Sequence, residues 1–249
     1  MSTTTVKTAL CLAAAALWAT TAPAPAHAQG ALAATLKKLY LATSFDAVEP
    51  SPVKGLAEVV MGANVAYVDE TGRYFVFGRL YDMREQRDLT AERLDRLTRV
   101  DFATLPLEAS IVTVKGSGAR RLAVFSDPDC PYCRTLEREI VKLDDVTVYT
   151  FLYPIEALHP GAGRKATAVW CAPDKATAWA DLMLRGIEPP PTACANPIAA
   201  NLALGARLRI QGTPTLFAGD GRRSVGAQSA GELDAWLGAG AKQSAEAGR

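Results

Sequence analysis

The sequence predicts a small α+β module, then a polar helix, then a larger α/β domain built on a parallel βαβ unit. Three observations predict this. Residues 120–127 (RRLAVFSD) carry an unbroken apolar run, Leu122 to Phe125, as a buried strand does. Residues 130–143 (CPYCRTLEREIVKL) put Cys133, Leu136, Ile140 and Leu143 on one helical face, and residues 146–154 (VTVYTFLYP) then read as a strand. Strand, helix and strand in so short a span make a βαβ unit with a parallel pair. Upstream, LAEVVM, ANVAYVDE and RYFVFGRLYD are short runs rich in Val, Tyr and Phe, and Asp69-Glu70-Thr71-Gly72 turns between the last two. That pattern is an antiparallel sheet.

The chain has 249 residues, 49% hydrophobic and 21% charged, as in a soluble globular protein. Its formal net charge of +1 gives no electrostatic case for nucleic acid or an anionic lipid surface. Residues 1–28 read as a secretory signal peptide: Lys7, the apolar stretch Thr8 to Ala19, then Ala26-His27-Ala28 before a cut at Gln29. A membrane anchor is the competing reading, but the apolar stretch is short and prolines rather than stop-transfer charges follow it. Cys11 has Leu10 before it, where a lipoprotein signal needs a small residue, so no lipid anchor is expected. Cleavage leaves His159 as the last histidine and four cysteines, Cys130, Cys133, Cys171 and Cys194. An even count in an exported chain points to an oxidising compartment. A single histidine disfavours a Ser-His-Asp or Cys-His enzyme.

Within the first module, residues 31–41 have helical spacing, with Leu32, Leu36 and Leu39 on one side and Lys37 and Lys38 on the other. The stretch SFDAVEPSPVKG, with Pro50 and Pro52, reads as turn. Some fifty residues lie near the lower limit for a self-sufficient core. The module therefore either pairs with a copy of itself or packs its sheet on the rest of the chain. Residues 88–101 read as a polar spacer helix, with Thr90 at its N-cap, Leu94, Leu97 and Val100 on a narrow face, and Pro106 ending the connector. Beyond the βαβ unit, residues 163–185 and 196–208 are helical. GTPTLFAGDGRRSV then gives two short strands about Asp220-Gly221, and SAGELDAWLG a closing helix with Leu233, Trp236 and Leu237 inward.

Cys130-Pro131-Tyr132-Cys133 stands right after a strand and opens a helix. Unpaired N–H groups and the dipole at a helix N-terminus favour negative charge, so that position lowers the pKa of the first thiol. Cys130 is the expected exposed nucleophile. Pro131 suits the first turn, where its missing N–H costs nothing. Cys133, deeper on the apolar face, is the expected resolving thiol. Two other readings compete: a zinc half-site completed by Cys171 and Cys194, and an inert disulfide. Structural zinc sites favour closely paired cysteines, which Cys171 and Cys194 are not. Those two read instead as a structural disulfide, worth about 3.5 kcal/mol on loop entropy alone. Asp127 and Asp129 read as loop and capping residues, and His159 as a loop residue. No metal and no cofactor are expected.

The element order of the second piece, β-α-β, a helical insertion, then α-β-β-α, is the thioredoxin arrangement. In that fold the position of Thr213-Pro214 is a cis-proline facing the CxxC, which exposes the Thr213 backbone for pairing with an extended peptide. Thioredoxins carry a buried Asp at the position of Val124, and no acid in the run Leu122 to Phe125 replaces it. The whole mature chain resembles the DsbC/DsbG family of periplasmic thiol:disulfide interchange proteins, most of all DsbC. Residues 50–83 resemble its dimerisation domain, FSDPDCPYC its active-site strand and motif, WCAPDKATAW with Cys194 its structural disulfide, and GTPTLF its cis-proline segment. Pro131 departs from the Gly of the best-known DsbC motif, and CPYC also resembles the related DsbG.

The resemblance implies an α+β N-terminal dimerisation module, a linker helix, and an α/β thioredoxin fold with a helical insertion. The boundaries are a signal peptide at 1–28, a dimerisation domain at 29–83, a linker helix at 84–109, a thioredoxin-like catalytic domain at 110–243 and a flexible tail at 244–249. It implies a periplasmic disulfide isomerase or reductase, with Cys130 and Cys133 catalytic and Pro131, Tyr132, Thr213 and Pro214 touching substrate. The implied partners are a second copy in a V-shaped homodimer, misfolded disulfide-containing exported proteins, and a DsbD-type membrane thiol reductase. The alternatives are a DsbG-like reductase of sulfenylated cysteines and a thiol-independent holdase chaperone.

Overall fold

A computed structural model describes residues 25–247. The expected leader lies outside the described residues as far as residue 24, and α1 (Pro25–Leu39) runs across the expected cut after Ala28. Next come β1 (Ala47–Pro50), β2 (Leu56–Met61), β3 (Asn64–Asp69) and β4 (Phe75–Val76), an antiparallel sheet in the order β1-β2-β3-β4. Leu32 and Leu36 of α1 pack on Ala57, Val59, Ala66 and Val68, so one face of the sheet is closed by the apolar side of the helix. Strand β1 lies where turn was expected. Its four residues pair with β2 from Ala47↔Val60 to Pro50↔Ala57, and Pro50 is tolerated because the strand is an edge.

Strands β5 (Tyr81–Asp82) and β6 (Arg87–Asp88) form a small ribbon leading into α2 (Leu89–Thr98). The N-cap of α2 is Asp88, not Thr90: its carboxylate accepts the Ala91 N–H at 2.8 Å. The Thr90 hydroxyl is buried and committed elsewhere, 2.5 Å from the Tyr67 hydroxyl and accepting the Leu80 N–H at 2.8 Å. Nor is α2 a detached spacer. The Arg93 guanidinium reaches Glu58 at 2.7 Å and Glu49 at 2.6 Å, tying the helix to β1 and β2. Its other end meets the second sheet, where the Val100 N–H donates to the Gly221 carbonyl at 3.0 Å. A Cβ on Gly221, which has φ +87°, would lie 2.0 Å from the Val100 oxygen, so only glycine lets the connector approach there.

The second sheet is built from β7 (Ile111–Lys115), β8 (Arg120–Ser126), β9 (Val146–Leu152), β10 (Thr215–Ala218) and β11 (Arg223–Val225), in the order β11-β10-β8-β9-β7. Only β8 and β9 run parallel; the other pairs are antiparallel. Helix α3 (Pro131–Ile140) crosses between β8 and β9. The insertion holds α4 (Ala162–Trp170), α5 (Lys175–Ala180) with a π-helical turn after it, and α6 (Ile198–Arg207). Helix α7 (Ala230–Ala247) closes the chain and continues into the stretch expected as tail. Alternation along β8 divides the core. Leu122 and Val124 face Leu136 and Ile140 of α3 and Leu233 of α7, while Ala123 and Phe125 face Phe151, Phe217 and Leu204 on the other side. The unbroken apolar run of β8 is thus a strand buried on both faces. Among the described residues no helix is long and apolar enough to cross a membrane.

Candidate active site

The polypeptide leaves β8 at Ser126 and turns through Asp127 to Cys130, the N-cap of α3, with Pro131 as its first helical residue. The Cys130 N–H donates to the Asp127 carbonyl at 3.2 Å, which sets the turn. Cys130 and Cys133 are both free thiols. Opposite them the Thr213-Pro214 peptide is cis, and β10 begins immediately after it. In its protonated form the Cys130 thiol donates to the Thr213 carbonyl at 3.4 Å.

The expected exposure of the nucleophile is corrected. Cys130 is 4% exposed, because its sulfur is turned against the Thr213 carbonyl, whereas Tyr132 beside it is 66% exposed. The environments of the two sulfurs diverge. The Cys130 thiol is pulled down to about 5, first by the Cys133 thiol and then by the Thr213 side chain and the backbone N–H groups of Cys133 and Tyr132. Burial opposes this and is outweighed. Cys133 goes the other way: burial pushes it up, and its neighbour Cys130 adds to the rise. The first sulfur is therefore anionic at neutral pH and the second remains a thiol.

Cys171 and Cys194 are bonded to each other, with Cα atoms 5.7 Å apart, which removes both from any metal site shared with Cys130 and Cys133. The bond joins the end of α4 to the proline-rich segment before α6. Among the described residues no cluster of three or more His, Cys, Asp or Glu side chains is arranged to hold a metal.

Three further titratable residues stand at the site: Asp127 and His159, both in loops as expected, and Glu137, which had no sequence reading. Asp127 is completely buried, with Oδ1 accepting the Asp129 N–H at 2.8 Å and Oδ2 accepting the Ile155 N–H at 2.6 Å. His159 is a loop residue, as expected, and its Nδ1 lies 3.0 Å from the same Oδ2, so that loop touches the active-site turn. Glu137, one turn beyond Cys133 on α3, is partly buried beside Trp179, and that burial pushes its carboxyl up to about 6. A helical position four after an active-site cysteine is readable in sequence. The Asp127–His159 pairing is not, because 32 residues separate the two.

Residues 107–241 match the model of a thioredoxin-like domain, and residues 19–91 match that of the disulfide bond isomerase protein N-terminal domain. A probable thiol:disulfide interchange protein DsbC from Bordetella pertussis is 44% identical over 183 residues, 74% of this chain and 65% of that protein. The match thus spans just under two thirds of the Bordetella protein. The thiol:disulfide interchange protein DsbC of Escherichia coli K12 is 28% identical over 210 residues, 83% of this chain and 86% of that one. Among solved structures, a disulfide interchange protein from Neisseria gonorrhoeae is 45% identical, with a TM-score of 0.52, over 53% of this chain and 96% of that one.

Proposed function

Because the chain belongs to the DsbC family of thioredoxin-like thiol:disulfide interchange proteins, we propose that it isomerises wrongly paired disulfides in exported proteins. The observation that carries this reading is Cys130 at the helix N-cap, pulled down to about 5 and seated against the Thr213 carbonyl. A thiolate at neutral pH is the attacking species in disulfide exchange.

The Cys130 thiolate attacks one sulfur of a substrate disulfide. A Cys130–substrate bond forms, the substrate S–S bond breaks, and its second sulfur leaves as thiolate. That thiolate, or another cysteine of the substrate, then attacks elsewhere in the substrate and finally displaces Cys130, with no net change of oxidation state. When reshuffling stalls, Cys133 loses its proton and attacks the Cys130 sulfur. The substrate departs as a dithiol and a Cys130–Cys133 bond remains. In the mixed disulfide Cys130 no longer carries the charge that helps hold Cys133 protonated, so this escape becomes easier after the first attack. The resulting disulfide requires two electrons from outside, which a membrane thiol reductase of the DsbD type supplies. Pro131, Tyr132, Thr213 and Pro214 form the surface that an extended substrate segment meets, Thr213 by backbone pairing.

The protein works as a homodimer in the periplasm, exported by the leader at 1–28 and paired through the module at 29–83. Strand β4 supports the pairing: it is an edge, and Val76 and the following Phe77 are 54% and 74% exposed. Two copies place two Cys130 sites around one substrate. Reactivation of scrambled, disulfide-rich ribonuclease tests the reading. The wild type restores nuclease activity and Cys130→Ser falls to the uncatalysed rate. Equal reactivation by Cys130→Ser overturns it.

A further inference from the structure

We propose that Asp127 and His159 are a charge-compensating pair that positions the active-site turn, the His159 imidazolium neutralising the buried Asp127 carboxylate so that the Cys130 thiolate forms beside a neutral pair. The proposal rests on Cys130 as the attacking sulfur and adds two residues that act through it.

The geometry begins with a carboxylate that has no access to water. Asp127 is 0% exposed and takes two backbone N–H bonds, from Asp129 and Ile155, besides the contact to His159 Nδ1 at 3.0 Å. Isolated burial of a carboxylate is costly, so an ionised Asp127 calls for a counter-charge. The same residue is bound to both redox positions through its backbone. Its carbonyl accepts the Cys130 N–H at 3.2 Å, and its N–H points at the Cys133 sulfur at 3.5 Å. An uncompensated negative charge in that turn opposes a second negative charge on Cys130.

His159 is the group placed to cancel it. Of the other charges near this loop, Arg164 lies against Gly161 and acts on Glu156, and Asp129, Lys165 and Glu156 are engaged. Asp129 is held by Lys165 at 2.7 Å and by Arg134 at 3.5 Å, and Lys165 also reaches Glu188 at 2.7 Å. Glu156, on the same loop as His159, accepts the N–H groups of Gly161 at 2.8 Å and Gly163 at 2.6 Å. The His159 side chain is 23% exposed, enough to exchange its proton with solvent, while Asp127 is sealed beneath it. Contact with Asp127 raises the proton affinity of His159 above the ordinary value, and the negative charges of Cys130 and Asp129 add to the rise. Linkage is reciprocal: whatever the thiolate does to the imidazole, the imidazolium does to the thiol.

Two measurements test the pair. In the first, the ring protons of His159 are titrated by NMR in the dithiol and the disulfide forms of the protein. Loss of the thiolate on oxidation moves the His159 midpoint to lower pH, and identical midpoints in the two forms overturn the proposal. In the second, the rate of Cys130 alkylation is followed against pH. His159→Gln keeps a hydrogen-bond donor but no charge, and slows alkylation at pH 5.5 by roughly threefold to tenfold. Asp127→Asn combined with His159→Gln restores a neutral pair and recovers most of that loss. A merely structural histidine leaves the NMR midpoint independent of redox state, and the double variant then reacts no faster than His159→Gln. Should the double variant not fold, the NMR titration and His159→Gln decide alone. Ordinary titration of Cys130 in the wild type removes the active-site reading itself. Low-pH titration of Cys130 with no response to His159→Gln removes only the pair.

Discussion

The sulfur of Cys130 lies 3.4 Å from the carbonyl oxygen of Thr213, 83 residues further along the chain. The contact joins two segments with different origins. One is the turn into α3, where unpaired N–H groups stabilise an anion. The other is the half-buried Thr213 just before β10, the backbone that the proposed function assigns to an extended substrate segment. On the proposed function, thiolate formation and substrate docking meet at this point, and the stability of the reduced protein carries the imprint of the Cys130 charge.

The pH dependence has a definite sign. Cys130 is pulled down to about 5 in the folded dithiol form and titrates at its ordinary value when unfolded. Its thiolate stabilises the fold fully above the unfolded value, and this contribution is lost as pH falls towards 5. Cys133 shifts upward and acts only at alkaline pH, above its unfolded value. Urea unfolding of the reduced protein should show stability climbing by a few kcal/mol between pH 5 and pH 8.5 relative to Cys130→Ser. Parallel curves for the two proteins contradict it.

Glu137 gives a slope of the opposite sign. Burial lifts its carboxyl up to about 6, so the folded state holds the proton more tightly than the unfolded state, and stability falls as pH rises to that value. Glu137→Gln removes the penalty. Thermal melts should show a gain of about 1 kcal/mol at pH 7 and none at pH 4, after allowance for partial solvent contact.

Local patterns in the chain are legible in its sequence, and contacts between distant segments are not. The βαβ unit was readable because Leu122 to Phe125 is buried on both faces of the sheet, and Cys133, Leu136 and Ile140 keep helical period. Strand β1 was hidden because AVEP has neither alternation nor an apolar run; its pairing with β2 defines it. Strand β7 went unread although Ile111 is buried and Val112 and Val114 are exposed, since one buried position in a short edge gives little periodic signal. Thr90 has the chemistry of an N-cap, but Asp88 occupies that place and Tyr67 takes the Thr90 hydroxyl. At the site, the CxxC and Thr213-Pro214 are local motifs. The contact of Asp127 with His159 exists only once the loop after β9 folds back on the turn after β8.

The Cys171–Cys194 bond is a strap on the insertion and takes no part in the thiol exchange, although α4, which leads into it, packs against both active-site cysteines. Replacing both cysteines by Ala should lower stability by about 3 kcal/mol in denaturant titrations. Cys130 alkylation should keep its pH profile. A changed profile would show that the strap also shapes the active site.

The proposed pairing through the β4 edge can be separated from the thiol chemistry. Val76→Asp with Phe77→Asp should give a monomer in sedimentation that still reduces disulfides and isomerises them poorly. Both side chains are largely exposed, and Phe77 touches the core of the module only through its stack on Phe75. A dimer that sediments unchanged contradicts the role assigned to this edge.

Cys130 is ionised at pH values where an ordinary cysteine is not. Iodoacetamide alkylation of the reduced protein, read site by site by mass spectrometry from pH 3.5 to 9.5, measures this directly. Cys130 should react with a midpoint at about 5 while Cys133 stays unmodified through neutral pH. A Cys130 midpoint near 8.5, the value of a free cysteine, would show that the helix N-terminus does not ionise it.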